Sequence, residues 1–129
     1  MTGREADALV AVEVKALQAA GKLDEARERF SDLVVRHQRR ASRIAYHYVR
    51  DAADADEAVQ DAFVKAYTHL GTFREELPFE VWFTRILING CLDRIKARTS
   101  SAALKVAMPE TENQAPMAAA FSASSGPLV

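Results

Sequence analysis

The residue types that most often carry chemistry are few in this chain and lie far apart along it. The single cysteine, Cys91, excludes an internal disulfide, and the three histidines, His37, His47 and His69, lie on other segments. A nucleophilic thiolate needs a base beside it, so we interpret Cys91 as a small buried thiol. The five glycines are isolated, and no HExxH or CxxC pattern offers metal ligands. The sequence therefore gives little support for enzymatic activity and predicts no cofactor.

A cluster of acids in residues 54–61 is the first candidate site. No histidine is in register with these acids, so an exposed surface explains the cluster better than a metal site or an acid/base pair does. Glu57 and Asp61 are spaced i, i+4, and Asp54 lies one turn earlier, on the helix side away from Phe63. We interpret these acids as a solvated face or as a face that docks on another protein.

A second candidate lies in TFREELPFEVWFTRILINGCLDR, residues 72–94, where four aromatic rings stand among arginines and acids. Trp82, Arg85, Asn89, Asp93 and Lys96 follow one another at helical steps along one flank. An indole can stack on an unpaired base, Arg and Lys can bind phosphates, and Asn can read a base edge. The alternative is that Trp82 covers the core and that Asp93 pairs with a neighbouring cation.

Charge is strongly segregated although the net charge is only −1. Residues 21–50 hold eight Lys/Arg against four acids, residues 51–80 hold two against eight, and residues 81–129 hold five against three. Solvated helix faces explain any one block. Three alternating blocks favour separate surfaces for separate partners.

The elements that must position these residues are all predicted to be helices. Apolar residues recur at steps of three and four, and Gly and Pro are scarce up to residue 70. We predict helices over 4–20, ending at Gly21, from Asp24 to about Arg50, from an Asp54 N-cap to about Leu70, and from Phe79 to Arg98. The predicted core of the last two includes Val59, Ala62, Phe63, Ala66, Leu70, Phe79, Phe83, Ile86, Leu87, Cys91 and Ile95.

At 129 residues the chain is long enough for one compact domain and a tail. Residues 1–22 form an N-terminal helical extension, 23–98 the domain, and 99–129 an Ala, Ser and Pro-rich linker or disordered tail. We expect proteases to cut Met108 to Val129 rapidly, while residues 24–98 resist. No segment has the length of apolar sequence that crosses a membrane, and the N-terminus does not resemble a signal peptide. We expect no membrane insertion and a cytoplasmic location.

Two stretches resemble a known family. AADADEAVQDAFVKAYTHLGTFREE, followed by FEVWFTRILINGCLDRIKAR, is similar to region two of bacterial sigma factors, especially the extracytoplasmic-function (ECF) group. Residues 27–98 take part. The resemblance implies an all-α domain that binds RNA polymerase core and that melts and reads the −10 promoter element. It also implies an anti-sigma factor as a partner.

The resemblance assigns roles to particular positions. Asp54, Glu57, Gln60 and Asp61 match the helix that docks on the clamp coiled coil of the polymerase β′ subunit. The loop Phe73, Arg74, Glu75, Glu76 and Leu77 matches the loop that captures a base flipped from the non-template strand. Trp82 lies where larger relatives hold the duplex open, and Arg85, Asn89 and Lys96 fall on the helix that contacts promoter DNA. We expect Trp82 and the loop to face the DNA.

Two departures from the family leave alternatives open. Nothing after residue 99 resembles the helix-turn-helix domain that reads the −35 element, so we expect a fragment or a chain without that domain. Residues 1–22 are longer than the usual start, and either pack on the domain or form a regulatory arm. The rival functions are a helical regulator that binds protein through the acidic helix without touching DNA, and a helical enzyme of unknown type.

Overall fold

Four helices build the part of the chain that the computed structural model describes, residues 2–74 and 76–107, with side chains to residue 100. They are α1 (Gly3–Ala19), α2 (Leu23–Val49), α3 (Ala52–Thr68) and α4 (Phe79–Ala107), with a 3₁₀ turn (Leu70–Thr72) after α3. No strand occurs in these ranges. The prediction of an all-α bundle is confirmed.

Local capping decides where these helices begin and end. Thr2 caps α1 in a reciprocal box with Glu5, and Gly21, at φ +76°, follows its end as predicted. The cap of α3 is Asp51, whose Oδ1 accepts a 2.9 Å hydrogen bond from the Asp54 backbone N–H. The prediction of Asp54 as N-cap is therefore wrong, because Asp51 has the extended backbone that a cap requires and Asp54 is already helical.

Helix α4 is longer than the sequence pattern predicted. It continues to Ala107 instead of ending at Arg98, because residues 99–107 hold neither Gly nor Pro and include three alanines, a leucine and a lysine. The predicted end of the helix at Arg98 is wrong for this reason, and residues 99–107, predicted as part of a linker or tail, are helical. The predicted protease-sensitive, flexible segment, Met108 to Val129, lies outside the described residues.

The core of the bundle is an aromatic stack between α3 and α4. Phe83 lies between Phe63, whose ring centroid is 4.4 Å away, and Phe79, at 5.9 Å. Leu87 and Cys91 continue the buried stripe of α4, both with no exposed surface. Burial raises the pKa of the Cys91 thiol above its ordinary value, outweighing the opposite influence of Arg94. These side chains are buried as the periodicity predicted.

Helix α1 packs on the rest of the bundle. Val10, Ala11 and Val14 are buried in the common core. Asp7 is only 3% exposed, and its carboxylate lies 2.9 Å from both His37 Nε2 and Arg36 Nε of α2. Residues 1–22 were expected either to pack on the domain or to form a regulatory arm, and in this structure α1 packs on the domain.

The relative direction of α2 and α4 follows from two contacts. Arg40 near the middle of α2 donates to Thr84 Oγ1 (2.8 Å), and Arg98 donates to the carbonyl of Val49 at the end of α2 (3.1 Å). Positions advance along both helices together, so α2 and α4 run side by side in the same direction. Among the described helices, none is long and apolar enough to cross a membrane.

Candidate functional site

The acidic face of α3 comprises Asp54, Glu57, Gln60 and Asp61. The side chains of Glu57 and Asp61 are 66% and 69% exposed, and Gln60 is also exposed. The intervening positions Ala58, Val59, Ala62 and Phe63 are buried. Helical geometry therefore separates a core side from a side that is open to a partner.

Two arginines of α4, which the sequence reading did not assign to this surface, border the acidic face. Arg94 pairs with Asp61 and lies 3.7 Å from Glu57. Arg98 lies 3.3 Å from Asp54. The spacing of 94 and 98 by one helical turn offered a signal for such a pairing, but only the packing of α4 against α3 identifies the partners. The acidic face is thus partly neutralised along the edge that meets α4.

The reader loop, residues 73–77, is only partly exposed. Arg74, Glu76 and Leu77 are exposed, and Glu75 lies outside the described residues. Phe73 is 1% exposed, with its ring 5.3 Å from Trp82 and 5.8 Å from Phe79. The expectation that the whole loop faces DNA is wrong for Phe73, because its ring closes the aromatic core from above.

Trp82 also points inward. It is 5% exposed, packed against Phe73 and Phe79, so the expectation that it faces DNA is wrong for the free domain. The alternative, that it covers the core, describes this structure. Its Nε1–H is buried and has no acceptor among the described residues. A buried N–H group without a hydrogen-bond acceptor lowers stability, so the burial of Trp82 is less favourable than that of the phenylalanines beside it.

The remaining members of that stripe do lie on the surface. Arg85 and Lys96 are exposed, and Asn89 and Asp93 are half-buried. Asp93 is engaged in a contact of its own, and Arg85, Asn89 and Lys96 form the α4 flank. Neither Arg85 nor Lys96 makes an ion pair or hydrogen bond with any described residue. Two cations and an amide therefore stand along one side of α4 with their polar groups available to a ligand.

Side chains of α1 hold the last turn of α3 and the loop between α3 and α4. Gln18 Nε2 donates to the carbonyl of Tyr67 (2.9 Å), Lys15 Nζ to that of Phe73 (3.0 Å), and an Arg4 guanidinium N–H to that of Glu76 (3.0 Å). Sequence reasoning missed these contacts, because no local pattern shows that residues 49 to 72 positions apart will meet. Helix α1 thus fixes the first carbonyl of the reader loop, that of Phe73, and the carbonyl before its last residue, that of Glu76.

No group of three or more potential metal ligands occurs in the part of the chain whose side chains are described. The candidate site consists of three surface features, which are the acidic face, the reader loop and the α4 flank.

The family model for sigma-70 region 2 matches residues 33–101, which include all of the acidic face, the reader loop and the α4 flank. The match covers more than half of the chain, and the chain belongs to this family. The resemblance noted from the sequence is confirmed.

Curated relatives are RNA polymerase sigma factors, several of which are named as ECF factors. The chain is 40% identical over 67 residues to the ECF RNA polymerase sigma factor SigM of Mycobacterium tuberculosis, covering 52% of this chain and 34% of that protein. It is 38% identical over 69 residues to the RNA polymerase sigma-H factor of Pseudomonas aeruginosa, covering 54% and 36%. It is 40% identical over 60 residues to the ECF RNA polymerase sigma-E factor of Escherichia coli K12, covering 46% and 31%. The chain thus spans about a third of these relatives' length, and no solved structure matches.

Proposed function

We propose that this domain acts in transcription initiation as the part of a sigma factor that docks on RNA polymerase core and reads the −10 promoter element. The acidic face of α3 binds the clamp coiled coil of the β′ subunit. The reader loop and the α4 flank bind the unpaired non-template strand. An anti-sigma factor that covers one of these surfaces, and a cytoplasmic location, belong to the same proposal.

One observation carries this proposal: α4 divides its cations between two tasks. Arg94 and Arg98 are engaged with the acids of α3, whereas Arg85 and Lys96 have no protein partner in the described structure. Unpaired cations beside a loop and an amide suit a strand of phosphates and bases. A regulator that binds only protein gives no reason for this second surface.

The burial of Trp82 modifies the mechanism that the family resemblance implies. In this structure the indole supports the loop from beneath, where it contacts Phe73. We therefore assign base capture to the exposed loop residues Arg74, Glu76 and Leu77, and phosphate binding to Arg85 and Lys96. Binding energy from the polymerase and the captured base offsets the few kcal/mol needed to unstack and unpair that base. The domain makes and breaks no covalent bond, and the polymerase performs the catalysis.

The docking part is tested by reversing charge at Glu57→Lys and Asp61→Lys together. We expect affinity for core polymerase to fall at least tenfold, measured by titration of labelled core enzyme, with helical content retained because both side chains are exposed. The matched control is Arg94→Gln, which removes the same internal ion pairs but keeps the acids. Loss of core binding in the control alone, or unchanged binding in the double variant, contradicts the docking assignment.

The reading part is tested with Arg85→Gln and Lys96→Gln in complex with core polymerase. Each lost phosphate contact lowers the salt dependence of single-strand binding by about 0.7 in the slope of log K against log [salt]. Lys22→Gln, an exposed lysine before α2, is the control. If the slope stays unchanged while core binding is intact, the rival regulator that binds protein alone is the better description.

A further inference from the structure

Helix α2 carries an arginine-rich surface that the proposed function does not use. Between Asp32 and Asp51 the sequence holds five arginines and no acid. At the start of the same helix, by contrast, Arg27 pairs with Asp24 and Arg29 with Glu13. A stretch of one sign on a surface helix marks either a well solvated face or a binding surface for an anion.

The contacts of these arginines divide them into two groups. Arg36 is engaged with Asp7 (2.9 Å), and Arg40 with Glu80 (2.8 Å). The other three, Arg39, Arg43 and Arg50, are exposed and make no side-chain hydrogen bond or ion pair with any described residue. We call these three the arginine row.

The arginine row follows one side of α2. Positions 39 and 43 are one turn apart, Tyr46 follows on the same side with 49% of its surface exposed, and Arg50 lies directly after the helix end. At a rise of 1.5 Å per residue, the row extends over about 16 Å. Several successive phosphates of one DNA strand fit along this length.

Arg50 has an unusual backbone for an arginine. It caps α2 in the left-handed conformation, at φ 58°, where glycine is less strained. An arginine at a position that favours glycine adds a cation to the surface at the expense of backbone strain. This supports a role for the Arg50 side chain in binding a partner instead of in stabilising the fold.

The arginine row borders the α4 flank. Helices α2 and α4 run side by side in the same direction, and Arg40 holds Thr84, the residue directly before Arg85. The arginine row and the α4 flank therefore begin at the same level along the two helix axes, one on each side of the line where α2 contacts α4. A nucleic acid bound to the α4 flank has a second cationic track beside it.

We propose that the arginine row binds phosphates of promoter DNA beyond the unpaired bases, with Tyr46 packing against the backbone or an exposed base. This rests on the proposed function, because the DNA is brought to α2 by the loop and the α4 flank. An acidic protein surface is the competing partner. DNA is favoured because the row is continuous with a flank that carries Arg85 and Lys96.

The test compares two double variants with the same change in net charge. Arg39→Gln/Arg43→Gln removes two members of the row, and Arg27→Gln/Arg29→Gln removes two arginines at the other end of α2 that pair with acids. Each is bound to core polymerase, and promoter-duplex affinity is measured at several salt concentrations. We expect the row variant to lower the slope of log K against log [salt] by roughly 1 to 2, at about 0.9 per phosphate, and the control to change it little.

Folding and the other partner are checked separately. Arg50→Gly, which relieves backbone strain, should keep or raise the melting temperature and still lower the slope. Equal slopes for the two double variants overturn the proposal. So does a row variant that loses affinity for core polymerase with an unchanged slope, because the row then binds protein.

The failure of the proposed function gives a different result. If the wild-type chain with core polymerase binds no promoter at all, the isolated chain is titrated with mixed-sequence duplex at low salt. Weaker binding by the row variant than by its control then supports the arginine row alone, and equal binding overturns it.

Discussion

Phe83 has an aromatic ring on each side of it. The ring of Phe63 is stacked on it at an interplanar angle of 21° and that of Phe79 at 10°, and only 2% of Phe83 is exposed. Removing the ring leaves a cavity that stacked neighbours on two helices cannot easily fill. We expect Phe83→Ala to lower the free energy of unfolding by about 3–5 kcal/mol, a large part of a small domain's stability.

Urea denaturation followed by circular dichroism measures this loss. Val64→Ala is the control, since Val64 lies next to Phe63 on α3 but is 65% exposed and should change stability by less than about 1 kcal/mol. Similar midpoints for Phe83→Ala and Val64→Ala contradict the stacked core.

Trp82 illustrates which residue-scale features periodicity identifies and which it does not. The step from Phe79 to Phe83 predicted the core correctly, because an i, i+4 pair shares one helix side whatever surrounds it. The direction of Trp82 depends on Phe73, which reaches it from the preceding loop. No helical pattern includes that contact, so the sequence left Trp82 open between core and surface, and the outward expectation was wrong.

At the scale of elements, Lys15 links α1 to the start of the reader loop. Its ammonium donates to the carbonyl of Phe73 in a part-buried setting, and the Phe73 ring covers Trp82. Lys15→Met keeps the length of the side chain and removes the donor. We expect a loss of roughly 1–3 kcal/mol and a shift of the emission of Trp82, the sole tryptophan, to longer wavelength as Phe73 becomes less fixed.

Two variants show whether the shift in Trp82 emission comes from the loss of the hydrogen bond between Lys15 and Phe73. Lys15→Arg retains a charged donor and should restore most of the emission, and Lys22→Met removes an exposed lysine and should leave it unchanged. A further measurement is the preferred −10 base in transcription by reconstituted holoenzyme, which a loss of general stability does not alter. Unchanged emission and unchanged preference in Lys15→Met mean that α1 does not position the loop.

Helix existence followed from the sequence more securely than helix ends. Glycine and apolar spacing located α1, α2 and α3 because both signals are local. The predicted start of α3 was three residues too late, because Asp54 was chosen as the N-cap instead of Asp51. The two aspartates are equally good caps in isolation. The end of α4 was misplaced because Ala-rich segments suit a helix and a linker alike, so composition alone did not decide between them.

For the whole molecule, α1 belongs to the folded unit in this structure, although the family match begins at residue 33, inside α2. Removing residues 1–21 uncovers the side of α2 that meets Val10 and Val14 and leaves His37 without Asp7. We expect this truncated chain to unfold at a markedly lower urea concentration, with a broader transition in circular dichroism.

The double variant Leu9→Ala/Val12→Ala is the control, because it removes apolar side chains from the exposed side of α1 and keeps the buried side. Both side chains are about half exposed, so the variant should unfold close to the wild type. If the truncated chain is as stable as this variant, α1 is an appendage and the boundary at residue 22 is a domain boundary.

The exposed charged surfaces were identifiable from residue types, but the contacts that border them were not. Acids at 57 and 61 and cations at 85 and 96 read as surfaces because each is out of register with the core. The pairing of Arg94 and Arg98 with the acidic face, and the hold of α1 on the loop, come from helix packing over long sequence separations. The division of the chain into segments 1–22, 23–98 and 99–129 stays a prediction.

The single buried thiol makes the opening of this bundle countable by mass spectrometry. Alkylating reagents react with a thiolate, and Cys91 has neither an exposed surface nor an ordinary pKa, because burial raises it. Addition of one carbamidomethyl group by iodoacetamide therefore requires the core around α4 to open first, and its rate relative to that of an exposed thiol gives the population of the open state. We expect hours for the native chain and minutes in strong urea. Prompt native-state labelling means that α4 leaves the bundle on its own.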